Sequence, residues 1–187
     1  MAKDVKMVSA EGTLLWAKVN TVFDEFKGQR KYKIRMELPE KDEKELISVI
    51  QKAYKEYQGL PENEGKEWRH KSRLSYKPDK KTGKIQFSFQ TNAFSKSKDS
   101  KEERQKVIPV YTKYGQVISD KSIGNGSKGK IYFELHPYHE SEDSNGITLR
   151  LLQILVTDLV EFGSSAAAFE FETFVPSEDD DDEPFVD

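Results

Sequence analysis

Lys31-Tyr32-Lys33-Ile34-Arg35-Met36-Glu37-Leu38 alternates without interruption between charged and apolar side chains. Successive residues of an extended chain point to opposite sides, so this stretch predicts a strand that buries Tyr32, Ile34, Met36 and Leu38. Lys31, Lys33 and Arg35 then stand in a row on the other face, flanked by Arg30. Cations crowded on one strand face repel each other unless an anion sits among them. A polar turn at Lys27-Gly28 precedes the strand. Upstream of that turn, Thr13–Val22 reads as a second strand. Simple alternation puts Leu15, Ala17, Val19 and Thr21 on one face and Leu14, Trp16, Lys18 and Asn20 on the other. Paired as a hairpin, the two strands would combine Trp16 and Lys18 with the cationic row into one surface.

Downstream, Pro39 stops the strand, and Asp42 with Glu45 three residues on has the spacing of a helix-capping pair. Leu46, Ile47, Val49, Ile50, Ala53, Tyr54 and Tyr57 recur at helical spacing until Gly59 and Pro61. Residues 62–84 are polar and aperiodic. Lys84–Asn92 is a strand with Ile85, Phe87 and Phe89 inward, and Val107–Tyr111 is a short extended piece. Lys130–Tyr138 is a strand with Ile131, Phe133 and Leu135 inward. A long last strand, Ile147–Phe162, loses its alternation near Leu151-Leu152, which marks a bulge. Residues 94–106 and 113–129 read as loops. This order predicts a mainly β fold with one inserted α-helix, an oligonucleotide-binding-like (OB-like), five-stranded, partly open barrel; an α+β sandwich is the alternative.

Charge divides the 187-residue chain unevenly. Its 30 Lys and Arg against 33 Asp and Glu make −3 overall. Seven of the acids lie in Thr173–Asp187, which has no cation, so the remainder carries 30 against 26 and is net basic. The chain is therefore expected to be one domain, residues 1–172, followed by a disordered acidic tail, residues 173–187. Such a tail repels nucleic acid and can cover a cationic groove on its own body. There is no cysteine, which excludes disulfides, thiolate zinc sites and cysteine nucleophiles. The first residues lack a leader's apolar run and the longest apolar run is too short for a bilayer, so a cytoplasmic protein with no membrane contact is expected.

Residues 66–84 hold eight Lys or Arg against two acids, with Trp68 and Tyr76 among them. Cations neutralise phosphates, and exposed rings accept unpaired bases by stacking. Trp68, Arg69, Lys71, Arg73, Tyr76 and Lys77 are thus candidate nucleic-acid contacts; the competing reading is a solvated loop in which Trp68 packs locally. Phe94, with Lys96 and Lys98, is a further candidate. Gly124–Gly129 lacks the spacing of a phosphate-binding loop and reads as a turn. His136 and His139 are separated by Pro137 and have no third ligand nearby, so neither a metal nor a cofactor is expected. No nucleophile or acid–base motif stands out, so the chain reads as non-enzymatic.

Asp179-Asp180-Asp181-Asp182-Glu183-Pro184-Phe185 resembles the acidic Pro-Phe end of bacterial single-stranded DNA-binding proteins. The body is more similar to the single-stranded DNA-binding proteins of tailed bacteriophages. The resemblance rests on Lys31-Tyr32-Lys33-Ile34, the Trp68 loop leading to Phe87-Ser88-Phe89, Gly126-Ser127-Lys128-Gly129, and Gly146-Ile147-Thr148-Leu149 leading to Leu152-Gln153-Ile154-Leu155. It implies an OB-like fold, sequence-tolerant binding of single-stranded DNA in viral replication and recombination, a host-cytoplasmic location, and replication proteins recruited by the tail; a homo-oligomer is compatible with it. One departure is that Val186 and Asp187 follow Phe185, where the bacterial tails end. The rival class is an acidic-tail adaptor or chaperone for basic proteins, without nucleic-acid affinity.

Overall fold

A computed structural model describes residues 4–68, 73–96 and 102–161. Five strands form a ring. They are β2 (Gly12–Lys18), β4 (Gln29–Glu37), β6 (Ile85–Asn92), β10 (Ser127–Ser141) and β11 (Ser144–Asp158). β2 pairs with β4, β4 with β6, β6 with β11, β11 with β10, and β10 with β2. Two seams are thin. β6 and β11 run parallel and share only Leu149↔Phe89 and Arg150↔Gln90, and β10 meets β2 only from Ser127 to Gly129. The barrel is therefore partly open, as the order of elements predicts. Short strands extend its edges: β1 (Val5–Val8) on β10, β3 (Asp24–Phe26) on β4, β5 (Tyr76–Pro78) on β6 and β9 (Val110–Thr112) on β11. β7 (Phe94–Lys96) and β8 (Glu103–Gln105) make a separate hairpin where a loop is expected. Gly129 of β10 lies between β11 and β2, and glycine meets the crowding there: a Cβ on it would lie 2.3 Å from the Leu155 carbonyl oxygen of β11 and 3.0 Å from the Leu14 side chain of β2.

The ring encloses Leu14, Tyr32, Ile34, Met36, Phe87, Phe89, Ile131, Phe133, Leu149 and Leu151, all essentially inaccessible to water. Phe89 meets Phe133 edge-on with ring centroids 5.1 Å apart. Helix α1 (Glu40–Gln58) adds Leu46, Ile50 and Tyr54 to this core, and the Tyr54 hydroxyl donates to Asn145 Oδ1 at 2.7 Å. The helix starts two residues before Asp42. Pro39 stands at the cap position without a side-chain bond, and Glu40, Asp42 and Glu43 occupy the first turn. Asp42 therefore favours the positive end of the helix as a charge and does not cap it. Among the described residues no helix is long and apolar enough to cross a membrane.

Two bulges decide which side chains face out. Near Leu152 the β10–β11 register steps from Tyr132↔Gln153 to Phe133↔Leu151, where the sequence alternation slips. In β2 the register with β4 passes from Leu15↔Arg35 to Lys18↔Lys33, so Trp16 and Ala17 together oppose Ile34. Simple alternation fails here. Leu14, assigned with Trp16 to the outer face, lies in the core opposite Met36. Trp16 would follow it inward to face Ile34, but the extra residue turns it out; its φ is +50° and its side chain stays accessible.

Candidate nucleic-acid interface

The outward face of β4 presents Lys31, Lys33 and Arg35, as the alternation predicts, and β6 sets Asn92, Gln90 and Ser88 beside them in register. Two hairpins rise over this floor. One joins β3 to β4 through Lys27 (φ +48°) and Gly28 (φ +77°), the pair of left-handed residues that a two-residue hairpin turn requires. It lifts Phe26 and Lys27 to the rim. The other is the long β10–β11 hairpin, which brings Tyr138, Glu140 and Ser144. Between them lies a trough of about 790 Å³. Nine cations line it (Lys18, Lys27, Arg30, Lys31, Lys33, Arg35, Arg73, Lys77 and Lys96) against three acids, Asp24, Glu103 and Glu140. The aromatic side chains in it are Trp16, Phe26, Phe94 and Tyr138. This is where OB barrels receive ligands: over the second and third strands, between the loops joining strands one to two and four to five.

Trp16 is 38% exposed. Its backbone N–H, turned out of the ladder by the bulge, donates to Asn125 Oδ1 at 2.7 Å. The turn at Gly124–Gly126 thus holds the tryptophan's conformation from 109 residues away in the chain. Arg30 stacks on the Phe94 ring, its guanidinium carbon 3.8 Å from the centroid, and Phe23 meets Phe94 edge-on at 5.6 Å. Phe94 therefore lines the trough with one ring face already covered by an arginine.

Ionisation in the trough follows from burial and pairing. Burial opposes the charge on Asp24, but hydrogen bonds from Lys33 (2.5 Å) and Lys18 (3.0 Å) outweigh it and hold the carboxyl below its ordinary range. Burial, helped by the neighbouring Lys33, lowers the Lys31 ammonium, while Glu140 from the opposite hairpin acts the other way. Burial raises the Tyr138 phenol against the opposing charge of Arg73. Arg73 itself is fixed by its backbone. Its N–H donates to the Asn145 carbonyl at 3.2 Å and its carbonyl accepts from Ile147 N–H at 2.8 Å. Gly146 (φ +154°) permits this approach, because a Cβ there would sit 1.9 Å from the Arg73 oxygen.

Of the residues singled out in the sequence, the trough gathers Trp16, Lys18, Arg30, Lys31, Lys33, Arg35, Arg73, Lys77 and Phe94. Trp68 and Tyr76 are elsewhere. Trp68 packs edge-on against Tyr54, Tyr57 and His139, with centroids 5.8, 5.9 and 4.5 Å away. Tyr76 lies against Phe87, and its hydroxyl accepts from Gln51 Nε2. Both rings serve the contact between helix and barrel, so local packing is what the geometry supports for Trp68 and Tyr76, while Arg73 and Lys77 of the same segment line the trough. Arg69, Lys71, Lys98 and the tail residues Asp179, Asp180, Asp181, Asp182, Glu183 and Phe185 lie outside the described residues. Phe26, Lys27 and Tyr138 escape the sequence reading. Their signals were a hairpin turn directly after Phe26, and the parity that puts Tyr138 opposite in sense to the inward Ile131, Phe133 and Leu135.

No protein-family model matches the chain, and neither does any curated protein. Solved structures do. Gp2.5, a single-stranded DNA-binding protein encoded by bacteriophage T7, superposes with a TM-score of 0.68 at 20% identity, over 94% of this chain and 97% of that one. The fold is that of bacteriophage single-stranded DNA-binding proteins. A C-terminally truncated single-stranded DNA-binding protein from bacteriophage Enc34 follows, with a TM-score of 0.58 at 12% identity over 83% of this chain and 87% of that one. The Enc34 protein in complex with single-stranded DNA gives 0.55 at 13% identity, over 84% and 89%. The likeness expected from short motifs thus extends to the architecture of the whole barrel.

Proposed function

We propose that the chain binds single-stranded DNA with little regard to sequence and catalyses no reaction. One observation carries this reading: the OB ligand position holds nine cations and an accessible tryptophan in a single trough between two hairpins. Lys18, Lys31, Lys33 and Arg35 would follow the phosphates, and Trp16, with Phe26 and Tyr138, would take unpaired bases on ring faces, which suits any sequence. The shared fold with phage proteins whose names state this activity supports the assignment. A role in viral DNA replication or recombination is the natural extension. An acidic-tail adaptor would have no use for such a trough.

The acidic residues 178–183 would compete with DNA for the trough and recruit replication proteins, with Phe185 as an apolar anchor. A chain ending at Phe174 is then expected to bind single-stranded DNA more tightly at low salt, and equal affinity would rule out self-competition. The primary test uses W68F protein, in which Trp16 is the sole tryptophan. Titration with an oligothymidine should quench its fluorescence, with duplex DNA a weaker competitor. Absence of both quenching and an anisotropy rise on labelled oligonucleotide would sink the assignment.

A further inference from the structure

The trough contains an anionic framework of its own. Asp24 sits on the three-residue strand β3, paired across the ladder with Lys31, and its side chain is only 10% exposed. One oxygen accepts from Lys18 at 3.0 Å and the other from Lys33 at 2.5 Å. At the far side Glu103, from β8, repeats the arrangement: it bonds Arg30 and stands 3.8 Å from Lys96, its ladder partner. Four of the nine trough cations thus share two carboxylates. A phosphate bridging two cations would need the same geometry, and the anion demanded by the cationic row of β4 is, in this structure, a side chain.

We propose that Asp24 and Glu103 are built-in phosphate surrogates, each occupying a two-cation subsite that the DNA backbone must take over. This rests on the reading of the trough as a single-stranded DNA site. Its consequence is in the response to salt. Each cation–carboxylate–cation group offers DNA a net charge nearer one than two, so the protein neutralises fewer phosphates than its lysines and arginines suggest. Affinity falls with salt in proportion to that number, with a log–log slope of about 0.7 per phosphate on single strands. The carboxylates therefore hold binding weaker at low salt and flatten its salt dependence, which keeps the complex easy to dissolve.

Asp24→Asn and Glu103→Gln keep the size and one of the two acceptor oxygens while removing the charge. Each variant is expected to bind an oligothymidine more tightly at low salt and to steepen the slope by about 0.7, losing roughly 2.6-fold more affinity than the parent between 50 and 200 mM salt. Glu103 is 39% exposed, so its variant tests the idea without disturbing a buried group. Glu56→Gln, on the helix and paired only loosely with Lys52 at 3.8 Å, changes net charge equally and should leave the slope at the parental value. Parental slopes in both trough variants would overturn the proposal, as would weaker binding at every salt with an unchanged slope, which would make the carboxylates mere supports for the lysines. A steepening matched by E56Q would overturn it too, as a net-charge effect. No binding by the parent would overturn the functional reading and this proposal with it.

Discussion

Trp16 permits a prediction in which stability and binding separate. The residue has φ +50° in the bulge, a conformation that costs an L-residue about 1–2 kcal/mol and glycine almost nothing. In an ordinary strand the order is reversed, and glycine is worse than alanine by roughly 0.5–1 kcal/mol. Compare Trp16→Ala with Trp16→Gly. Both remove the same ring and both keep the N–H that Asn125 accepts, so the difference between them is the backbone term alone. Glycine should therefore be the more stable variant, by about 1 kcal/mol once its greater unfolded-state freedom offsets part of the strain. Urea unfolding of the two proteins measures this directly. Both should lose the same binding free energy, roughly 1–3 kcal/mol for one stacked base, or roughly 5- to 150-fold in affinity for an oligothymidine. A glycine variant less stable than the alanine variant would refute the left-handed bulge. Affinities within twofold of the parent would refute stacking on Trp16 even if the bulge is right.

Trp68→Ala should lower stability by roughly 2–4 kcal/mol, because the ring is wedged among Tyr54, Tyr57 and His139, yet leave affinity unchanged wherever the variant is folded; a calorimetric scan and a titration at low temperature measure the two effects. Gly146→Ala should cost about 2–4 kcal/mol and also weaken DNA binding, since the new methyl drives the Arg73 backbone away from the trough; unchanged denaturant midpoints would contradict the close approach. Asp24 has a depressed carboxyl in the folded protein, so its stabilising contribution is complete above the ordinary aspartate range and is lost as pH falls through the lowered value. Urea midpoints between about pH 6 and pH 2 should accordingly fall further for the parent than for Asp24→Asn, and parallel curves would show that the Lys18 and Lys33 bonds do not favour the charged form.

The parts of the fold legible in the sequence are those governed by local periodicity. Lys31–Leu38 shows both its faces by alternation alone, the helix shows its apolar stripe, and the slip at Leu151-Leu152 is a bulge because adding one residue necessarily shifts parity. The bulge at Trp16 left no such mark. It depends on strand pairing with β4 and on an acceptor supplied by Asn125, and Leu14 to Lys18 carries no local break. Trp68 misled for a related reason. A tryptophan in a cationic loop has the same composition whether it faces solvent or covers helix tyrosines, and only the return of the chain past His139 decides between them. The cationic row itself was readable, as was its need for an anion. That Asp24 supplies it was not, because Asp24 reaches Lys33 only once the Lys27-Gly28 turn folds β3 back on β4.

The two thin seams of the ring have a mechanical meaning. Both border the β10–β11 hairpin, and fewer residues pair across either one than across any other pair of neighbours in the ring. The barrel is in effect two leaves, the β2–β4–β6 meander and the long hairpin with its attached short strands, joined along two weak margins. The wall carrying Phe26 and Lys27 belongs to the first leaf and the wall carrying Tyr138 and Glu140 to the second. A strand lying in the trough would therefore touch both leaves at once, and away from the seams those leaves are held to each other by the Phe89–Phe133 contact in the core and by the Arg73 backbone bonds to Asn145 and Ile147.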